Sequence, residues 1–206
     1  MPTPRFLGTL LLCASLPPLA YASTLADPPV AKPDNNKRVQ DLLTKVKYSL
    51  RPLMGGTFEM GDWGTESGRP WDMDADSRPV HKVTLASFSM MAHKVTYDDF
   101  DVFTDATGNE RVGMDENGLR ARAPRRPAGV SWHGAKAYCQ WLAQQTNLPF
   151  DLPTEAQWEY AARSGGKRVL YATDNGKIER GRNFPLRWEL GEKQPPLPNV
   201  GTYPPN

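Results

Sequence analysis

Helical periodicity is confined to a few short, sharply bounded stretches of this 206-residue chain, and that brevity limits the possible folds most. Between Lys37 and Leu50, the residues Val39, Leu42, Leu43, Val46 and Leu50 fall at i, i+3, i+4, i+7 and i+11, one face of a helix. Thr96 and Asp99 form a capping box with Asp in place of the usual Glu, opening a helix that carries Tyr97, Phe100 and Phe103 and stops near Gly108. Ser131 is a good N-cap for a helix with Ala135, Tyr138, Cys139 and Leu142 on one face and Trp132 and Trp141 beside it. Thr154 and Gln157 make a further capping box, with Trp158, Ala161 and Ala162 as the apolar face and Gly165-Gly166 as the stop.

What separates these helices is turn and loop. Phe58 and Met60 alternate with Thr57 and Glu59, and Val83 and Leu85 point one way within His81 to Leu85, so both segments read as strands. Residues 61–76 and 109–128 read as loops, the second crowded with Arg111, Arg120, Arg122, Arg125 and Arg126, and the chain is irregular after Gly181. The 20 Pro and 17 Gly belong to these connections. The pattern predicts an α+β domain of low regular secondary structure, with Trp63, Trp71 and Trp188 anchoring the loops. Lys and Arg total 25 against 23 Asp and Glu, a balance that argues against a nucleic-acid partner.

The first residues read as an export signal. Arg5 is the only charge before Ala22; it precedes the apolar run Phe6 to Leu12, and Ala20-Tyr21-Ala22 has the small-x-small pattern of a signal-peptidase site. The run is too short to span a bilayer. We expect residues 1–22 to be a signal peptide, 23–36 a flexible lead-in and 37–206 the folded domain, located in the periplasm or secreted, with no membrane span after cleavage. Cleavage removes Cys13, so Cys139 has no partner for an internal disulfide.

Tested as chemistry, the residues give little. Asp72, Asp74 and Asp76 alternate like a calcium loop, but Ser77 stands where the turn glycine belongs and Val83 where the closing Glu belongs. His81, His93 and His133 have no ligand spacing. Ser131 in Gly129-Val130-Ser131-Trp132-His133 lacks the second glycine of a nucleophile elbow. Cys139 sits on an apolar helix face, where a thiol is a poor nucleophile. Glu155 and Glu159 share a face, but helix capping and an ion pair from Glu159 to Arg163 account for both. No catalytic, cofactor-binding or metal-binding residue is assigned.

Four blocks, in order, carry a family resemblance. They are Gly55-Gly56-Thr57-Phe58-Glu59-Met60-Gly61; Pro79-Val80-His81-Lys82-Val83-Thr84-Leu85 followed by Lys94-Val95-Thr96-Tyr97-Asp98-Asp99-Phe100; the run Arg126 to Leu142; and Leu152-Pro153-Thr154-Glu155-Ala156-Gln157-Trp158-Glu159-Tyr160-Ala161-Ala162-Arg163. Together they resemble the formylglycine-generating enzymes, or sulfatase-modifying factors. The resemblance implies a C-type-lectin-like fold and aerobic oxidation of a sulfatase cysteine to formylglycine, with copper held by two cysteines and calcium as support. It also implies a periplasmic branch acting in maturation of the siderophore pyoverdine, and a branch using non-haem iron.

In that family Tyr203-Pro204-Pro205-Asn206 leads into a further region carrying the catalytic cysteines, so the resemblance implies a domain incomplete at its C-terminus. The expectation is therefore an exported formylglycine-generating-enzyme-like protein, inactive alone, with no cofactor on this chain. A protein or peptide partner is expected, including completion by another chain over the apolar faces of helices 131–145 and 154–164. The alternative is a non-catalytic lectin-like periplasmic binding module.

Overall fold

The computed structural model describes residues 34–64, 76–186 and 198–206. Helix α1, Asn35–Ser49, opens on Asp34, whose side chain accepts from the Asn36 N–H at 2.9 Å. Four short strands follow: β1 (Leu50–Leu53), β2 (Gly56–Met60), β3 (His81–Leu85) and β4 (Phe88–Met91). Helices α2 (Tyr97–Thr107), α3 (Glu116–Ala121), α4 (Trp132–Thr146) and α5 (Glu155–Ala162) complete the regular structure among the described residues.

The strands form two antiparallel pairs. In one, β1 runs beside β4 from Leu50 opposite Met91 to Leu53 opposite Phe88. In the other, β2 runs beside β3 from Gly56 opposite Leu85 to Met60 opposite His81. The chain passes between the pairs at Gly55, where a Cβ would lie 2.3 Å from the Leu85 carbonyl oxygen; only glycine allows that approach.

Two bodies of packing result. The larger joins α1, α2 and α4 through Leu42, Leu43, Val46, Phe100, Phe103, Tyr138, Trp141 and Leu142. Its aromatic rings interlock: Phe103 meets Tyr138 edge-on with centroids 5.7 Å apart, and Phe100 stacks on Tyr138 at 5.6 Å. Each fully buried side chain of this size contributes roughly 1.5–3 kcal/mol. The smaller sets α5 against β2 and β3, with Tyr160 edge-on to Phe58 at 5.2 Å and its hydroxyl donating to the Met54 carbonyl at 2.9 Å.

The helix starts follow the sequence. Thr96 and Asp99 form a reciprocal capping box, as do Thr154 and Gln157, and Ser131 caps α4 through the Gly134 N–H. Gly108 ends α2 at φ 71°, the left-handed conformation that glycine adopts without cost.

Three features depart from the sequence reading. The strands β1 and β4 were not expected, and Leu50, read as the last residue of the α1 stripe, instead opens β1. Helix α3 lies inside a stretch read as loop and buries no residue, so it has no apolar stripe to detect. On α5 the buried residue is Tyr160, whereas Trp158, expected on the apolar face, is 57% exposed.

Candidate functional site

The most constrained polar cluster lies where α5 meets β2. Glu159 Oε1 accepts from the Gly61 N–H at 3.0 Å and from Arg163 Nη1. Arg163 is buried; it also donates to the Glu59 carbonyl at 2.7 Å and, through Nε, to the Lys167 carbonyl at 2.9 Å. Its guanidinium lies over the Trp63 indole at 4.0 Å from the ring centre, and Arg168 approaches the same ring at 5.6 Å. The ion pair expected between Glu159 and Arg163 is therefore present. Glu155 is exposed in the first turn of α5, whereas Glu159 is engaged by the Gly61 N–H and Arg163.

Around Cys139 the geometry is inert. The thiol is half-buried on α4, and burial is the main cause pushing its pKa up; Asp151 pushes the same way and Lys136 opposes. Lys136 and Asp151 are themselves paired at 2.5 Å. Ser131 Oγ accepts from the Gly134 N–H at 3.1 Å as a helix cap. The three histidines are exposed and scattered: His133 lies edge-on to Trp132, His81 Nδ1 is 3.0 Å from the Pro79 carbonyl, and His93 stands apart from both. Asp72, Asp74, Trp71 and Trp188 lie outside the described residues.

The arginines of the 109–128 loop find partners that the sequence did not reveal. Asp105 is bound by Arg111 through two hydrogen bonds, at 3.0 and 2.6 Å, and by Arg38 of α1 at 2.6 Å. The Arg111 hydrogen bonds, followed by that of Arg38, outweigh burial and hold the carboxyl at about 2. Asp101 pairs with Arg122 through Oδ2, while its Oδ1 is buried without a partner. Asp98, beside Asp99 and Asp101, is raised by burial first and by those two charges second. The arginine-rich stretch was the sequence signal; its register against α2 is a long-range property.

A second polar knot closes the loop at 173–183. Asp174 accepts from Arg182 and from Asn183 Nδ2, and Glu179 accepts from Asn175 and Arg182. The Asn183 side-chain oxygen, Oδ1, accepts from the Glu179 N–H at 2.7 Å. Every carboxylate oxygen in the knot accepts at least one hydrogen bond from the chain. Among the described residues no three His, Cys, Asp or Glu side chains gather as a metal-holding group. A copper ion bound by paired thiolates does not fit either: Cys139 is the one cysteine described, it is half-buried, and its thiol is biased against ionising. A hollow of about 270 Å³ between α1, α2 and α4, lined by Asn36, Val39, Gln40, Ala106, Trp141 and Gln145, contains no titratable group.

With this geometry in hand, comparison with known proteins is decisive on family. The model of the sulfatase-modifying factor enzyme 1-like domain matches residues 47–206. The chain belongs to the sulfatase-modifying factor family. A formylglycine-generating enzyme of Streptomyces coelicolor is 32% identical over 192 residues, covering 73% of this chain and 56% of that protein. A serine/threonine-protein kinase Pkn1 of Chlamydia trachomatis is 32% identical over 163 residues, covering 70% of this chain and 24% of the kinase. The crystal structure of CarF aligns with a TM-score of 0.40 at 19% identity, over 75% of this chain and 74% of CarF. The chain thus spans about half the length of its formylglycine-generating relative and a quarter of the kinase.

The sulfatase-modifying-factor blocks map onto structure as units. The run Arg126 to Leu142 is the turn that leads into α4 together with most of that helix, and Leu152 to Arg163 is α5 with its caps. Both expose a large aromatic side chain, Trp132 at 63% and Trp158 at 57%. The mixture of short helices with two small strand pairs agrees with the α+β, C-type-lectin-like fold that the resemblance implied. No helix among the described residues is long and apolar enough to cross a membrane.

Proposed function

We propose that this chain is an exported protein of the formylglycine-generating type. It takes part in oxidative maturation of a protein or peptide substrate, and this polypeptide supplies scaffold and contact surface rather than the redox step. Family membership supports the class of activity. The observation that carries the division of labour is Cys139: a half-buried thiol whose pKa is raised by burial, with no second cysteine among the described residues. Substrates in this reading are a cysteine-containing peptide or a peptide-derived siderophore precursor.

Oxygen uptake on a cysteine peptide in the presence of copper tests the reading on the purified protein. We expect no uptake above the copper blank. Turnover that disappears in the Cys139→Ser variant would overturn it. Export is tested separately by sequencing the N-terminus of the protein recovered from the periplasm, with Ser23 expected as the first residue.

A second reading, a non-catalytic binding partner, is favoured by Trp132 and Trp158, large side chains left exposed within two of the blocks that carry the resemblance. Calorimetric titration with the same cysteine peptide separates the two. Binding without turnover that weakens in Trp158→Ala supports the binding module, and binding insensitive to both tryptophans argues against it.

A further inference from the structure

We propose that Asn117 is a site of spontaneous deamidation, and that the fold protects Asn175, which stands in the same Asn-Gly sequence. The chain holds two such pairs, Asn117-Gly118 and Asn175-Gly176. Reaction at either begins at the backbone nitrogen of the glycine, once its proton has passed to solvent base. That nitrogen attacks Cγ of the asparagine. The N–Cγ bond forms, the Cγ–Nδ2 bond breaks, and the departing nitrogen takes up a proton and leaves as ammonia. Water then opens the cyclic imide. Opening at Cγ leaves aspartate; opening at the main-chain carbonyl leaves isoaspartate, with the backbone running through the side chain.

The glycine amides do not distinguish the two pairs. Gly118 donates to Asp115 Oδ1 at 2.9 Å, and Gly176 donates to the Thr173 carbonyl at 3.2 Å. The asparagine side chains do distinguish them. Asn175 Oδ1 accepts from the Lys177 N–H at 3.0 Å and from Asn183 Nδ2 at 3.3 Å, while its Nδ2 donates to Glu179 Oε1 at 2.9 Å. Its carboxamide cannot swing toward the Gly176 nitrogen without breaking these bonds. Asn117 is exposed, and its carboxamide makes no hydrogen bond among the described residues. The frame around it is also weak: α3 has 6 residues and buries none, so it opens locally at little cost. Packing keeps the glycine of this pair in place, because a Cβ at Gly118 would lie 2.5 Å from the Gly113 Cα.

Ageing the full chain at mildly alkaline pH, followed by peptide mapping that separates asparagine, aspartate and isoaspartate, tests this. In the native protein Asn117 should convert about tenfold faster than Asn175, since freeing the Asn175 carboxamide forfeits its bonds to Lys177 and Glu179 at their usual net worth. In urea the two rates should converge. Glu179→Ala removes the acceptor of Asn175 Nδ2, so it should speed conversion at Asn175 about fivefold, the worth of one such bond, and leave Asn117 unchanged. Equal native rates, faster conversion at Asn175, a difference that persists in urea, or an unmoved Asn175 in Glu179→Ala would each overturn the proposal.

Discussion

Arg163, the residue that caps the end of α5, lies over Trp63 of the loop leaving β2, guanidinium carbon 4.0 Å from the indole ring centre. The stack is reinforced from below. The same guanidinium bonds to Glu159 and to the carbonyls of Glu59 and Lys167, so one buried side chain joins helix, strand and loop.

Replacing that side chain has a defined cost. Arg163→Ala leaves Glu159 partly buried with only the Gly61 N–H as donor, and removes the guanidinium's bonds to the Glu59 and Lys167 carbonyls, the second of which keeps the Val169 N–H. We expect a loss of about 3 kcal/mol in urea unfolding, within the range for breaking a buried pair from one side. Arg163→Lys should recover only part of it, because an ammonium cannot serve three acceptors and stack on an indole at once. Equal stability of the Lys variant and the parent would show that the planar fork is unimportant.

Tyr138 gives the opposite expectation. Its ring fills the core between Phe100, Phe103 and Trp141, yet its hydroxyl is buried without a hydrogen-bond partner. Burial, and secondarily the charge of Asp99, push the phenol far above its ordinary range. Tyr138→Phe removes an unsatisfied polar atom and keeps the ring, so unfolding free energy should be unchanged or rise by up to about 1 kcal/mol. A drop of similar size would show that the hydroxyl has a partner, such as an ordered water.

Acid sensitivity should centre on Asp105. Its carboxyl is held at about 2 when folded against an ordinary 3.8, chiefly by Arg111 and then Arg38. A lowered folded pKa means that the unfolded state takes up a proton first as pH falls. The contribution is thus complete above about pH 5 and is lost as pH drops from about 4 toward 2. Asp105→Asn should lower stability at pH 7 by on the order of 1 kcal/mol, because Asp105 is partly exposed and solvent screens the pair. Stability of the two proteins measured across pH 2–6 should converge at the acid end. A constant gap over that range would place the pH dependence elsewhere.

What the sequence made legible was local. Thr96, Ser131 and Thr154 were readable as helix starts because a cap is settled within three residues, and Glu159 with Arg163 because i,i+4 geometry is fixed by the helix. The pairing of β1 with β4 was not, since each is four residues long and its register depends on a partner far along the chain. Hydrophobicity alone misplaced Trp158. Tyr160 occupies the seat on Phe58 because its hydroxyl can reach the Met54 carbonyl, and an indole on the next face is left in solvent. The Asp105 and Asp101 networks were invisible for the same reason as the sheets: arginines can be counted in a loop, but their carboxylate partners are fixed by tertiary packing.

Cys139 is where local and tertiary reasoning meet. The helical stripe put it among apolar neighbours, and the folded chain leaves it half-buried with its thiol biased toward the neutral form, first by burial and then by Asp151. Alkylation by iodoacetamide requires the thiolate, so its rate against pH reports the bias directly. The native profile should lie at higher pH than the profile in urea, with slower labelling near neutrality. Lys136 opposes the shift, so Lys136→Ala should move the native profile higher still, whereas Asp151→Asn should move it lower. A native thiol that labels as fast as the unfolded one at pH 7 would mean an activated cysteine, and the redox-inert role proposed for this chain would then fail with it.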